Sequence, residues 1–273
     1  MSIPLEDNVS DIVGKAQRGL GISDSQLAAK SGVSPEKIQK IRHGDLDDDA
    51  VERAAPVLKL DAAALRKLAT GKWIPEAVGE IKGLAQFNTT YHDMTVNAYL
   101  VWDPNIGEAV AFDTGADCSE MLQCIEEKRL KVKLILLTHA HPDHVADLGR
   151  LRKATGAPVY ISELEAEGGM EAIAEGKRFR AGCLEIEARL TSGHSPGGMT
   201  YVVTGLSRPI AIVGDSLFAG SMGGGNVSYE DALRNNREKI LTLPDETVIC
   251  PGHGPMTTVG EEKAHNPFFV GRM

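Results

Sequence analysis

Eight histidines occur in 273 residues, and three of them, His139, His141 and His144, fall with Asp143 inside six consecutive positions. The stretch reads 136-LLTHAHPDHVADL-148 and overlaps an apolar run, 134-LILL-137, that reads as a buried strand. Side chains at i and i+2 of an extended segment point the same way, so His139 and His141 can grip one ion together. Asp143 and His144 follow Pro142, at an expected helix start, and face a second point a few ångströms away. The spacing suits two cations better than one.

Four local ligands do not complete two coordination shells. Three further candidates sit just beyond apolar runs and beside glycine: His194 in 191-TSGHSPGG-198, Asp215 in 210-IAIVGDSLF-218 and His253 in 249-ICPGHGP-255. Strand ends at one edge of a sheet would bring them together, and glycine lets the backbone turn tightly there. Nitrogen and carboxylate ligands suit zinc, iron or manganese, while the lack of a cysteine ligand argues against a closed structural zinc site. A water held between two such cations loses a proton near neutral pH, and one cation polarises the carbonyl under attack, so acyl-bond hydrolysis is the natural chemistry. A thiolate leaves with little protonation, whereas an amide nitrogen needs a proton donor. Of the other histidines, His43 and His265 read as solvent-exposed, and His92 in 89-TTYHDM-94 as a surface residue or a pocket rim.

These residues need a scaffold of short strands. Beyond a break at 71-GKWIPEAVGEIKG-83, apolar or β-branched runs recur at 96–102, 109–112, 134–137, 157–161, 200–204, 209–213 and 247–250, each an expected strand. Helices are expected between them at 117–130, 145–156 and 229–243. Before the break, the chain is rich in Ala, Leu, Lys and Asp with glycine punctuation, which predicts several short packed helices. The division is therefore 1–72 all-α, 73–83 linker and 84–273 mixed α/β.

Composition sets the outer bounds. A hydrophobic content of 42% is enough for a real core, and the net charge of −9 argues against general affinity for nucleic acid or anionic membrane. Four scattered cysteines give neither a disulfide framework nor a zinc knuckle. With an acidic, polar amino terminus and no long apolar run, a soluble cytoplasmic protein without membrane contact is expected.

The set H-x-H-x-D-H, then G-H-S, G-D-S-L-F and P-G-H-G-P resembles the metallo-β-lactamase superfamily from about Leu84 onward. The resemblance implies an αββα sandwich with two divalent metal ions at one sheet edge, Zn2+ first, with iron or manganese open. It implies that His139, His141 and His194 hold one ion, that Asp143, His144 and His253 hold the other, and that Asp215 bridges them. Asp143 and Asp215 would then help position the attacking hydroxide. Asp113, in 110-VAFDTG-115, matches an aspartate that buttresses such sites without binding metal, although a plain turn aspartate also fits.

Within the superfamily, true β-lactamases generally lack the bridging aspartate, the flavodiiron branch has Glu where His141 stands, and RNA-processing members carry insertions absent here. The segments 214-GDSLFAGSMGG-224, 251-PGHGPMTT-258 and 265-HNPFF-269 are similar to short glyoxalase II-like hydrolases. That implies a hydroxyacylglutathione hydrolase type of thioesterase acting on a small acyl (thio)ester. Two departures bear on the glutathione part: the chain reads 223-GGGNVSYED-231 where an arginine and aspartate usually follow, and it stops soon after the last histidine. A persulfide dioxygenase of the same fold, with one iron on His139, His194 and Asp215, is the alternative chemistry.

The passage 24-DSQLAAKSGVSPEKIQKIRHGDL-46 carries a second signal. Ser34 can cap a helix with Pro35 at its first position, Ile38 and Ile41 face inward, and Lys37, Gln39, Lys40 and Arg42 remain for the outer side. From about Ser10 to Thr70 the chain resembles a Cro/repressor-type helix-turn-helix domain, which implies DNA contact through those four residues. Glu36 and the run Asp45, Asp47, Asp48 and Asp49 oppose phosphate attraction. A dimerisation element giving a homodimer, a substrate-covering element, and a DNA-binding regulator with a sensor domain all remain open.

Overall fold

The computed structural model describes residues 3–44 and 47–272, so Asp45 of the acidic run lies outside the described residues. The amino-terminal part holds α1 (Val9–Leu20), α2 (Asp24–Ser31), α3 (Pro35–Arg42), α4 (Asp48–Ala54), a 3-10 turn (Ala55–Leu58) and α5 (Ala62–Ala69). Their boundaries follow from side-chain caps. Asn8 accepts from the amides of Ser10 and Asp11 while Asp11 answers the Asn8 amide, and Ser23, Ser34, Asp47 and Asp61 cap the next four helices. Each such cap is worth about 1 kcal/mol.

After an irregular passage the sheets begin. The first comprises β1 (Leu84–Tyr91), β2 (Met94–Trp102), β3 (Glu108–Phe112), β4 (Lys131–Leu136), β5 (Val159–Ser162) and β6 (Glu171–Ile173), in that spatial order. The second comprises β7 (Arg178–Ala181), β8 (Leu184–Leu190), β9 (Met199–Thr204), β10 (Ile210–Gly214), β11 (Val248–Pro251) and β12 (Thr257–Thr258), again in sequence order across the sheet. The intervening helices are α6 (Ser119–Glu127), α7 (Pro142–Val145), α8 (Leu148–Thr155), α9 (Tyr229–Asn235), which a π-wound segment (Asn236–Ile240) continues, and α10 (Val259–His265).

Strand periodicity assigns the layers. In β3, Val110 and Phe112 pack between the sheets with Tyr201 and Ile212, whereas Ala109 and Ala111 pack on the other side with Met121 of α6 and Leu151 of α8. In β10, Ile210 and Ile212 join the inter-sheet core while Ala211 and Val213 face a third cluster. That third cluster is built from Ile12, Leu27, Ile38, Leu58 and Leu65 of the amino-terminal helices together with Tyr229, Ile240, Phe268 and Phe269. The architecture is an αββα sandwich whose second outer helical layer includes the amino-terminal helices. Tyr229 of α9 lies where a side chain at Gly19 of α1 would go, and the Asp61 amide donates to Pro267 O at 2.8 Å.

Some expectations are corrected. The helix expected over 145–156 is confined to α8, and Val145 instead ends the separate α7, with Ala146 and Asp147 between them. Strands β1, β6, β7, β8 and β12 carry no apolar run: in β8, Leu184, Ile186 and Ala188 are buried while Glu185 is exposed and Glu187 half-exposed, so a charged outer face hides the inner one. His43 is exposed as expected, but His265 is half-buried against the Trp73 ring at 5.3 Å. Among the described residues no helix is long and apolar enough to cross a membrane.

Ile12 has no exposed surface and belongs to the cluster that joins α1 to the second sheet. Ile12→Ala is expected to cost about 2–5 kcal/mol in denaturant titration. A single cooperative transition is expected in both proteins, with the helices and sandwich unfolding together; a separate early transition would refute the shared core.

Candidate metal centre

Strand direction gathers the polar residues. Strands β3 and β4 are parallel, so Asp113 and His139 leave the first sheet at the same end. In the second sheet β8 and β10 both run antiparallel to β9, and β11 runs parallel to β10. The segments bearing His194, Asp215 and His253 therefore also emerge together. The sheets are tied at this end by Tyr201 Oη donating to Leu137 O and Tyr99 Oη donating to Pro251 O, both at 2.8 Å.

Two groups of ligand atoms result: His139, His141, His194 and Asp215, then Asp143, His144 and His253, each with its atoms within 4.8 Å of one another. Asp215 lies between them. Its Oδ1 is 3.3 Å from His144 Nε2, and its Oδ2 is 3.4 Å from both His194 Nε2 and His253 Nε2. Asp143 Oδ2 is 3.3 Å from His253 Nε2 and 3.5 Å from His144 Nε2. All seven residues proposed from the sequence as ligands thus meet in one place. Gly252 makes this possible, since a Cβ there would lie 2.2 Å from Asp215 Oδ1 and 2.6 Å from His144 Cε1.

The imidazoles are aimed from behind. Asp113, at φ 55°, contacts His144 Nδ1 through Oδ2 at 2.8 Å and accepts from the Thr138 amide at 2.7 Å and hydroxyl at 2.8 Å. His194 Nδ1 faces Gly224 O at 3.0 Å, and His253 Nδ1 faces Thr95 O at 2.6 Å. These contacts turn the Nε2 atoms of His144, His194 and His253 toward Asp215, and His194 Nε2 also lies 3.0 Å from His141 Nδ1. The Nε2 atoms of His139 and His144 and Oδ1 of Asp215 are buried with no hydrogen-bond partner among the described residues. Buried polar atoms without partners are costly, and converging lone pairs of nitrogen and oxygen fit a divalent cation.

Burial opposes ionisation of Asp215, yet His253 and then His144 hold its carboxyl well below the ordinary range. Burial also opposes charge on the two imidazoles, but Asp215, followed by Asp113, carries His144 up to about 10. Asp215 and then Asp143 carry His253 up to about 11. Burial, reinforced by neighbouring imidazoles, pushes His139 well below its usual value, and burial also lowers His194. Without cations, protons on two imidazoles balance the carboxylates.

One support of the site stands outside the motifs. Glu165 accepts from the amides of Ala140 and Gly197, each at 2.6 Å, and so joins the loop of His139 and His141 to the loop of His194. Only its acidity hinted at a role. His92 is exposed in the β1–β2 turn with its ring against Tyr91. Of the residues proposed for DNA contact, Gln39 and Lys40 are exposed, Lys37 pairs with Asp47 at 2.7 Å, and the Arg42 guanidinium folds back to donate to Ser10 O at 3.0 Å.

The family model of the metallo-beta-lactamase superfamily matches residues 93–253, which contain all seven ligand-type residues. The chain is 34% identical over 201 residues to the probable metallo-hydrolase YqgX of Bacillus subtilis, covering 64% of this chain and 92% of that one. It is 31% identical over 198 residues to the hydroxyacylglutathione hydrolase GloC of Haemophilus influenzae, covering 63% and 92%. The crystal structure of BLEG-1 B3 metallo-beta-lactamase superposes with a TM-score of 0.60 and 29% identity, over 69% of this chain and all of that one.

Cations and protons compete for the lone pairs of His144 and His253, which stay protonated up to about 10 and about 11 without metal. Metal affinity should therefore rise with pH, by about tenfold per unit for each proton displaced. Chelator competition between about pH 6 and pH 9 measures this, and an affinity independent of pH would remove these two imidazoles from the ligand set.

Proposed function

The chain belongs to the metallo-β-lactamase superfamily, and on that premise we propose that it is a dinuclear metallo-hydrolase cleaving a thioester of the hydroxyacylglutathione type. The observation that carries this reading is the buried Asp215 carboxylate, within 3.4 Å of His194 on one side and 3.3 Å of His144 on the other. A carboxylate shared between two imidazole-rich groups suits two cations close together. The likeness to GloC, 31% identical over nearly the whole of that protein, supports a thioester substrate.

In this reading His139, His141 and His194 would hold one ion and Asp143, His144 and His253 the other, with Asp215 available to both. Two bound divalent cations supply a water of lowered pKa and a Lewis acid for the substrate carbonyl. The protein's own part is geometric and electrostatic. Asp113 and Thr138 keep the His144 ring fixed, Glu165 keeps two ligand loops in register, and the carboxylates of Asp143 and Asp215 offset the charge of the cations. A thiolate leaving group asks for no dedicated proton donor, which fits a site whose aspartates, Asp113, Asp143 and Asp215, each lie beside an imidazole.

The test is turnover of S-D-lactoylglutathione by full-length protein loaded separately with zinc, manganese or iron, followed by loss of thioester absorbance. Metal-dependent turnover is expected, and Asp215→Asn should lower kcat/KM by about hundredfold or more. No turnover with any metal would overturn the glutathione thioester. Oxygen uptake with glutathione persulfide by the iron form would replace it with a mononuclear iron reading on His139, His194 and Asp215, and hydrolysis of a β-lactam alone would replace it with an amidase.

A further inference from the structure

The loops of the metal centre are not held by the sandwich alone. Residues 221–224 close the turn that follows Asp215, and they press directly on two ligand-type residues. A Cβ at Gly223 would lie 1.8 Å from Asp215 O and 3.1 Å from His194 Nδ1, and the next carbonyl, Gly224 O, is the partner of His194 Nδ1. The position of this turn thus sets the backbone of Asp215 and the ring of His194.

The same turn is fastened from outside by the amino-terminal segment. Lys15 of α1 donates from Nζ to Met222 O at 2.9 Å and pairs with Asp7, and Asp7 accepts from the Ser221 hydroxyl. The Lys15 and Asp7 side chains are only 13% and 7% exposed. An exposed ion pair would contribute little, but a desolvated pair whose remaining hydrogen bonds go to one turn acts as a bracket on it. The Lys15 ammonium also lies 4.9 Å from the Phe218 ring, which meets the His253 ring nearly perpendicular at 5.7 Å.

Further contacts run through the preceding residues. Glu6 Oε2 is 4.0 Å from His253 Nδ1, and Pro4 to Glu6 pass so close to Gly254 that a Cβ there would be 3.1 Å from Glu6 N. The cap at Asn8 fixes where α1 begins, so the residues before it can run along the site.

We propose that the segment from Glu6 to Lys15 is a working part of the metal centre: Asp7 and Lys15 are positioning residues that clamp the 221–224 turn so that His194 and Asp215 keep their geometry. The inference rests on the metallo-hydrolase reading and deepens it. It gives the amino-terminal helices a role at the site that requires no DNA.

Full-length metal-free protein is titrated with Co2+ and then competed with a chelator, comparing wild type with Lys15→Met, Ser221→Ala and Lys30→Met on the exposed face of α2. Lys15→Met and Ser221→Ala are expected to weaken binding of at least one ion by about 10- to 100-fold and to shift the visible Co2+ spectrum. Lys15→Arg should recover part of both, and Lys30→Met should change neither. If Lys15→Met does not fold, Ser221→Ala decides, because it removes the turn's hydrogen bond to Asp7 while leaving α1 in its packing. Wild-type affinity and spectrum in the variants would overturn the clamp and leave the metal centre standing. A wild type that binds no Co2+ would overturn both.

Discussion

The structure depends on keeping an ionised carboxylate, Asp215, in a dry place among imidazoles. A lone charge there would be very costly, so its neighbours must supply positive charge, as protons on His144 and His253 or as cations. The centre is therefore a charge-balance problem before it is a catalytic one. His144 Nε2 and Asp215 Oδ1, buried and 3.3 Å apart, meet under the same condition.

Such a centre must be rigid, and the sandwich makes it so by using strand ends. A strand held by neighbours on both sides fixes the residue that follows it, and β3, β4, β10 and β11 are each paired on both sides. Hydrogen bonds across the gap do the rest. Tyr99 and Tyr201 join the two sheets at the site, the Asn97 amide donates to Gly252 O at 2.7 Å, and the Met199 amide donates to Thr138 O at 2.8 Å. Small residues at Ala109, Ala111 and Ala211 face the outer helical layers and let them approach closely.

The amino-terminal helices bear on this centre through packing. Arg42 is used to fasten α3 to α1, and Lys37 is engaged by Asp47, so both of these residues proposed for DNA contact already have protein partners. Meanwhile α1 shares a core with the second sheet and sends Lys15 toward Met222.

The ligand-type residues were legible in the sequence because each has a local signal: His139 and His141 follow the apolar run 134–137, Asp143 and His144 follow a proline, and His194, Asp215 and His253 each follow a glycine. Asp113 was legible as the residue after the apolar run 109–112, and the helix cap at Ser34 from its residue type and the proline that follows it. The strands with alternating charge, β7 and β8, were not, since a buried face of every second residue is diluted by arginine and glutamate. His265 looked exposed because nothing nearby in sequence predicts Trp73 beside it. Glu165, Asp7 and Lys15 were invisible for the same reason. Lys15 and Met222 are far apart along the chain, and periodicity reports only what neighbours in sequence do. Residue type and spacing determined which chemistry the chain can perform, whereas the tertiary fold decided what holds it still, because burial and hydrogen-bond partners are fixed only when distant segments pack.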